Sequence, residues 1–309
     1  MPGKDFLYIC PMSPYISIII PFYGTADKAL LQRCLDSIHR QGMEEGSYEV
    51  IVADDVNQTT GGARNNGIRQ AQGEYMLFVD ADDVLLPHAL CPCLSLLRQY
   101  SPDILKFGFQ EFSRNSSLEK RRLPNQPLPY VEYVSGAGFM ALNNFTGVVW
   151  THFFRKSLLE TSSLCFSETS FFEDEEFVAK AYFYARKMLV TPYKVYGYFC
   201  LPTSLTRVPA EEECRKRVAA FKDMLFRLQE FYSISQCSVQ PAKALSRRIR
   251  FLVIDYIRQM WRNKCSIKEI NQELAVLKQE GLLPLPNENY GWKYRLVFPV
   301  VNVYTHLFI

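Results

Sequence analysis

The sequence has no apolar run of the roughly 20 residues that a membrane-crossing helix needs. The nearest stretch, Leu296 to Ile309, is shorter and is broken by Pro299, Asn302, Thr305 and His306. No basic segment leads into an apolar core at the start. Residues 1–14 therefore read as a loose lead-in, with no secretion signal expected. The nine cysteines are odd in number and scattered singly, apart from Cys91 and Cys93. That pattern excludes a disulfide framework, and one close pair without a second excludes a zinc centre. Reduced thiols in a cytoplasmic protein are the expectation. There is no internal repeat and no low-complexity tract. With a net charge of only +3, no nucleic-acid partner is expected.

What is present suits a globular enzyme or binding protein. A length of 309 residues with a 48% apolar share is ample for a large core. Charge is unevenly spread. After Arg207 there are 16 Lys and Arg against 10 Asp and Glu; before it, the first part is mildly acidic. Such a basic last third suits contact with something anionic, or a solvated helical surface.

Apolar runs at Tyr15–Phe22, Tyr48–Ala53, Tyr75–Val79 and Asp103–Phe109 predict four strands. Between them, Leu31, Cys34, Leu35 and Ile38 make a helical stripe behind a candidate N-cap, Asp27. A second helix is expected over about Ala63 to Gln72. Pro87 suits the first turn of a third, with Leu90, Leu94 and Leu97 inward. Strands alternating with helices in steps of about 30 residues imply an α/β fold with a parallel sheet. Residues 111–130 read as a polar loop. A short helix near Gly138 to Asn143, a helix over Glu173–Arg186 and a strand over Met188–Phe199 follow. Glu211 to Glu280 predicts two or three long helices, stopped at Gly281.

The chemistry gathers where strands end. Tyr75–Val79 runs into Asp80, Asp82 and Asp83, and Tyr48–Ala53 runs into Asp54 and Asp55. In open α/β sheets, ligands bind at the carboxyl ends of the strands. Alternation along an extended chain would place Asp80 and Asp82 on one side. Two such carboxylates repel unless a cation lies between them, although an acidic solvated turn is the plainer reading. A hard divalent ion, Mn²⁺ or Mg²⁺, uses one or two carboxylates plus phosphate oxygens. Two acidic strand ends together suit a nucleoside diphosphate.

Four segments in order carry a resemblance: Ile16-Ser-Ile-Ile-Ile-Pro-Phe-Tyr23, Val50-Ile-Val-Ala-Asp-Asp55, Gly62-Ala-Arg-Asn-Asn-Gly67 and Gly73-Glu-Tyr-Met-Leu-Phe-Val-Asp-Ala-Asp-Asp83. Together they resemble the family-2 glycosyltransferases of bacteria. The resemblance is dense over residues 15–90 and thinner to Arg207. It implies a GT-A Rossmann-like, mostly parallel sheet flanked by helices, followed here by a helical C-terminal extension. Residues 15–110 would form the nucleotide-sugar half, 111–207 the acceptor and base half, and 208–309 a basic helical region with an amphipathic tail.

The same resemblance implies roles. Asp82, with Asp80, matches the DXD metal motif. Asp55, beside Asp54, would orient the nucleoside; Pro21 and Tyr23 would border the base; Arg64 would lie near the nucleotide. Phe171-Phe-Glu173-Asp174 resembles the motif whose Asp is the general base, with Glu173 beside it on the acceptor side. A carboxylate in the first turn of a helix is stabilised by the dipole, although four acids in a row also simply favour a helix start. Arg207 resembles a loop residue over the diphosphate, and Trp150 an acceptor-side aromatic. One departure stands out: Val56-Asn57 replaces the family's Gly-Ser after the first acidic pair.

The implied activity is inverting transfer of a sugar from a nucleotide-diphosphate donor, UDP-linked by expectation, to a glycan or lipid-linked acceptor in cell-surface polysaccharide synthesis. The rival is a non-catalytic nucleotide-sugar or glycan-binding protein on the same fold, which the altered Val56-Asn57 loop favours. Gly136-Ala-Gly138-Phe-Met-Ala141 fits a dinucleotide fingerprint, but it falls roughly 100 residues after the first strand and helix, and such fingerprints open the first βαβ unit. The aromatic tail from Trp292, with its basic start, suits either a membrane interface at the inner face of the cell or packing against protein.

Overall fold

The computed structural model describes residues 13–22, 27–55, 58–113, 127–169, 171–200, 211–235, 238–288, 290–291, 294 and 297–309. The chain forms two compact units that interleave in sequence. The first comprises Met1–Glu132, Trp150–Cys165 and Leu189–Cys200; the second comprises Tyr133–Val149, Phe166–Met188 and Leu201–Ile309.

The first unit is built on a sheet. Its parallel part is β1 (Ile16–Pro21), flanked by β2 (Tyr48–Ala53) and β3 (Tyr75–Phe78). Every residue of β1 and β3 is buried, as expected for strands covered on both faces. Beyond β3 the pairing turns antiparallel. With β4 (Val84–Leu85), β5 (Ile104–Ser113), β6 (Val131–Tyr133), β7 (His152–Arg155) and β8 (Met188–Cys200), the order is β2-β1-β3-β7-β5-β8-β4, with β6 paired to β8 off that path. β7 runs antiparallel to both β3 and β5.

Two helices connect the parallel strands. α1 (Lys28–His39) starts at Asp27, whose side chain accepts from the Ala29 N–H, the expected cap. Its Cys34 and Ile38 are buried, while Leu31 and Leu35 lie at the margin. α2 (Thr60–Gln70) starts three residues earlier than the periodicity suggested, because Thr59 caps the Gly62 N–H. α3 (Leu90–Tyr100) likewise differs from expectation. Pro87 sits in the turn ahead of it, and Pro92 occupies the first turn instead. Within the span 111–130 expected as a loop, β5 continues to Ser113, and residues 114–126 lie outside the described residues.

The second unit is helical. α4 (Gly136–Leu142) and α6 (Glu173–Tyr184) pack together, and both meet α8 (Val239–Arg262). Gly136 explains the fingerprint-like spacing noted above: a Cβ there would stand 2.5 Å from the Tyr182 carbonyl oxygen. The glycine serves helix packing, and Ser135 caps α4 through the Gly138 N–H. α7 (Glu211–Ile234) and α9 (Ile267–Gln279) flank α8 in sequence, and Gly281 takes φ +66° just past the α9 cap. A last helix, α10 (Val297–Phe308), ends the chain, and the short α5 (Lys156–Thr161) belongs to the first unit.

Candidate functional site

In the first unit, three parallel strands deliver their carboxyl ends to one rim. β1 ends at Pro21, which is buried; β2 gives way to Asp54 and Asp55; β3 gives way to Asp80 and Asp82. Tyr23 and Arg207 lie outside the described residues, as do Val56 and Asn57.

Asp55 is held in place by Thr59. Its Oδ2 accepts from the Thr59 N–H (3.0 Å) and from the Thr59 hydroxyl (2.8 Å). The carboxylate lies over Gly62, where a Cβ would come within 2.3 Å of Oδ2. Glycine at this position in the first turn of α2 is therefore what admits the carboxylate. Asp54 is more exposed, and its Oδ1 accepts from the Asp55 N–H at 2.7 Å.

The stretch after β3 is not the extended chain that alternation suggested. The Asp83 N–H donates to the Asp80 carbonyl at 3.0 Å, so Asp80 to Asp83 close a tight turn. Asp80 pairs with Arg64 at 2.9 Å, and the arginine is 3% exposed. A buried arginine on α2 thus reaches the first acid of the motif. Asp82 stays half-buried; burial, then the neighbouring Asp80 charge, pushes its carboxyl up to about 6.

Asp83 has a different duty from its neighbours. It is 1% exposed and accepts from Tyr196 O–H (2.8 Å) and Phe199 N–H (2.7 Å), both on β8. Tyr196 Oη in turn accepts from the Asp80 N–H at 3.1 Å. Burial, followed by the charges of Asp80 and Asp82, pushes the Asp83 carboxyl up to about 8. From across the turn, Arg33 donates to the Asp82 carbonyl at 2.5 Å while its guanidinium lies 4.0 Å from the Phe199 ring centre. Asp83, Tyr196, Phe199 and Arg33 therefore fix the backbone that carries Asp80 and Asp82. Sequence reasoning missed all four; only the adjacency of Asp83 to the motif hinted at one of them.

Trp150 is 8% exposed. It stacks on Tyr196 (4.5 Å between ring centres) and Tyr198 (5.6 Å) and meets Phe109 edge-on. In the antiparallel ladder, β7 pairs Phe153 with Leu77 and Phe154 with Met76, which puts the start of β7 level with the end of β3.

In the second unit, α6 opens with the four acids. Its N-cap residue, Phe172, adopts φ +64°, a left-handed conformation rare for an aromatic residue. The four side chains separate by environment. Glu173 and Glu176 are buried, with Glu176 engaged by Arg227 (2.7 Å), Lys180 (2.6 Å) and Ser167 (2.7 Å). Glu175 takes Nε and Nη2 of Arg248 on one oxygen (2.8 and 2.6 Å) and the Gly147 N–H on the other (3.0 Å). Asp174 is only partly buried, and its Oδ2 accepts from the Val149 N–H at 3.4 Å. Arg247, next to Arg248 on α8, donates to the carbonyls of Met140 and Asn143. Helix α8, which carried no motif in the sequence, thus braces the loop and the helix start that bear Asp174.

A divalent cation fits the first unit on its donor chemistry. Among the described residues, no three His, Cys, Asp or Glu side chains gather to hold a metal alone. Two carboxylates, with the remaining positions left to phosphate oxygens and water, are what Mg²⁺ and Mn²⁺ use.

Comparison with known proteins agrees with this architecture. Residues 56–162 match the family described as Glycosyl transferase family 2. An uncharacterized glycosyltransferase, EpsJ, of Bacillus subtilis is 28% identical over 226 residues, covering 64% of this chain and 64% of EpsJ. The poly(ribitol-phosphate) beta-glucosyltransferase of Bacillus spizizenii is 30% identical over 215 residues, 59% of this chain and 32% of that protein. The chain thus spans less than two thirds of the length of these relatives. The crystal structure of S. aureus TarS 1-349 in complex with UDP-GlcNAc shares the fold, with a TM-score of 0.60 at 16% identity over 94% of this chain and 91% of that one. By the match over residues 56–162, by its homologous relatives and by its architecture, the chain is similar to the family-2 glycosyltransferases and has a fold of the GT-A kind.

Proposed function

We propose that the protein transfers a sugar from a UDP-linked donor to a hydroxyl of a glycan or lipid-linked acceptor, with inversion, in cell-surface polysaccharide synthesis. The observation that carries the donor half is the rim of the first unit, where a preformed Asp55 and the braced Asp80–Asp82 turn follow the two strands that flank β1. The reading also draws on the relatives: one is a poly(ribitol-phosphate) glucosyltransferase, and the similar TarS structure holds UDP-GlcNAc.

Each residue has a proposed part. Asp55, assisted by Asp54, accepts hydrogen bonds from the nucleoside, with Pro21 and Tyr23 bordering the base. Arg64 neutralises Asp80 from beneath, and Arg207 donates to the diphosphate. Asp82 and Asp80 hold Mn²⁺ or Mg²⁺, which when bound neutralises charge on the departing diphosphate. Asp174 takes the proton from the acceptor hydroxyl as the new glycosidic bond forms, while the electrons of the old bond leave with the diphosphate. A single displacement from the opposite face inverts the anomeric carbon. Glu173 and Trp150 serve the acceptor.

A lipid-linked acceptor would set the reaction at the inner face of the cell membrane. No helix among the described residues is long and apolar enough to cross one. The test of the donor half is calorimetric titration of UDP in the presence of Mn²⁺. The wild type should bind, and Asp55→Asn and Asp82→Asn should each weaken binding at least tenfold. Equal affinities in all three would remove the rim from donor binding.

A further inference from the structure

Helix α10 is dressed the wrong way round for a helix in water. Its twelve residues, Val297–Phe308, include no Asp, Glu, Lys or Arg. Val297, Val300, Val303, Leu307 and Phe308 are 40–67% exposed. Val297, Val300, Val303 and Leu307 follow one another at three and four residues, and Phe308 lies beside Leu307, so they share one stripe. Asn302 and Thr305 look the other way. Asn302 pairs doubly with the Leu285 backbone, accepting its N–H and donating to its carbonyl, each at 2.8 Å. Thr305 is buried, and the Tyr304 hydroxyl donates to Asn271 at 2.7 Å. The hydrogen bonds hold α10 on the second unit and leave its oiliest face outward.

We infer that this stripe is the docking face for an anionic lipid surface, on which α10 lies flat. Two observations select lipid over protein. From Tyr290 to Ile309 the sequence carries Lys293 and Arg295 and no acid, within a last third already rich in cations. Anionic headgroups attract such segments. Finally, five side chains at this exposure offer roughly 500 Å², well short of the roughly 800 Å² per partner of a stable dimer. The inference deepens the membrane location proposed above and does not depend on the transfer reaction.

The test is flotation of the full chain with vesicles of phosphatidylcholine alone, or of equal parts phosphatidylcholine and phosphatidylglycerol. The wild type should float with the anionic vesicles. The triple variant Val300→Glu/Val303→Glu/Leu307→Glu should lose that binding at least tenfold, with its melting curve unchanged because the sites are exposed. Lys293→Gln/Arg295→Gln should weaken anionic binding several-fold. Equal flotation of wild type and triple variant would overturn the inference. So would a wild type that ignores vesicles but forms a dimer that the triple variant dissociates, because a second copy would then be the cover. UDP titration of the same samples reports on the donor reading separately.

Discussion

Removing one side chain from α8 should loosen the helix start that carries Asp174. Arg248 is 3% exposed and Glu175 12%, and the pair is closed by two hydrogen bonds at 2.6 and 2.8 Å. The guanidinium also lies 3.9 Å from the Phe145 ring centre, so part of its surface is satisfied by the aromatic face. Arg248→Met keeps most of the stem but strands a carboxylate in low dielectric. Breaking a buried pair in this way costs about 3–5 kcal/mol. In a protein of this size that corresponds to a melting shift of roughly 10 °C. Glu175→Gln/Arg248→Met removes the stranded charge yet leaves an amide oxygen for the Gly147 N–H. Most of the loss should return in that double variant. The assay is urea unfolding of the four corners of the cycle, followed by circular dichroism. A loss under about 1 kcal/mol for Arg248→Met, or a double variant no better than the single, would refute the bracing argument.

Three further outcomes follow from the first unit. Among the described residues Lys106 donates to the Thr151 hydroxyl alone, at 3.3 Å, and burial brings its amine down to about 8. The unfolded chain then binds more protons than the folded one between about pH 8 and about 10.4, so stability should rise with pH across that window. Lys106→Met should abolish that increment, as measured by urea midpoints at pH about 7 and about 9.5; an unchanged slope would contradict the assignment. Gly62→Ala would drive a methyl to 2.3 Å from Asp55 Oδ2. UDP affinity should fall about tenfold while stability stays within about 1 kcal/mol, as alanine favours the helix. Asp82, with its carboxyl near 6, must be ionised to hold a cation, so Mn²⁺-dependent UDP binding should weaken as pH falls below about 6. A flat profile from pH about 7 to about 5 would exclude Asp82 as a ligand.

The strands were legible because their cause is local. Ile16–Pro21 and Tyr75–Phe78 are apolar runs, and burial on both faces requires that composition, while Tyr48–Ala53 is a half-buried strand at the end of the order. Asp27 was legible as a cap for the same reason. The roles within the acidic cluster were not. Nothing local distinguishes Asp83 from Asp82, yet one is sealed against Tyr196 and Phe199, more than 110 residues away, while the other is left half-open. The turn at Asp80 was hidden too, because Asp suits both extended and turning chain. Arg248 lies in a helical region whose charge suits either contact with something anionic or a solvated surface. Its partner stands 73 residues earlier, and no periodicity reports such a distance. Gly136 shows the converse: its spacing mimics a dinucleotide fingerprint, which its position in the chain discounts, and its need for space comes from the Tyr182 backbone.

The central claim is that this chain breaks a sugar–diphosphate bond, with Asp82 holding the donor side and Asp174 activating the acceptor. The most direct measurement is UDP release from a panel of UDP-sugars, with Mn²⁺ present, in mixtures supplied with poly(ribitol phosphate) or lipid-linked saccharide. The account predicts that wild type releases UDP from at least one donor, that Asp82→Ala abolishes release, and that Asp174→Asn lowers it at least a thousandfold (a ratio on the order expected for losing a general base) while the folded state persists. Near-wild-type release by the Asp174→Asn variant would contradict it.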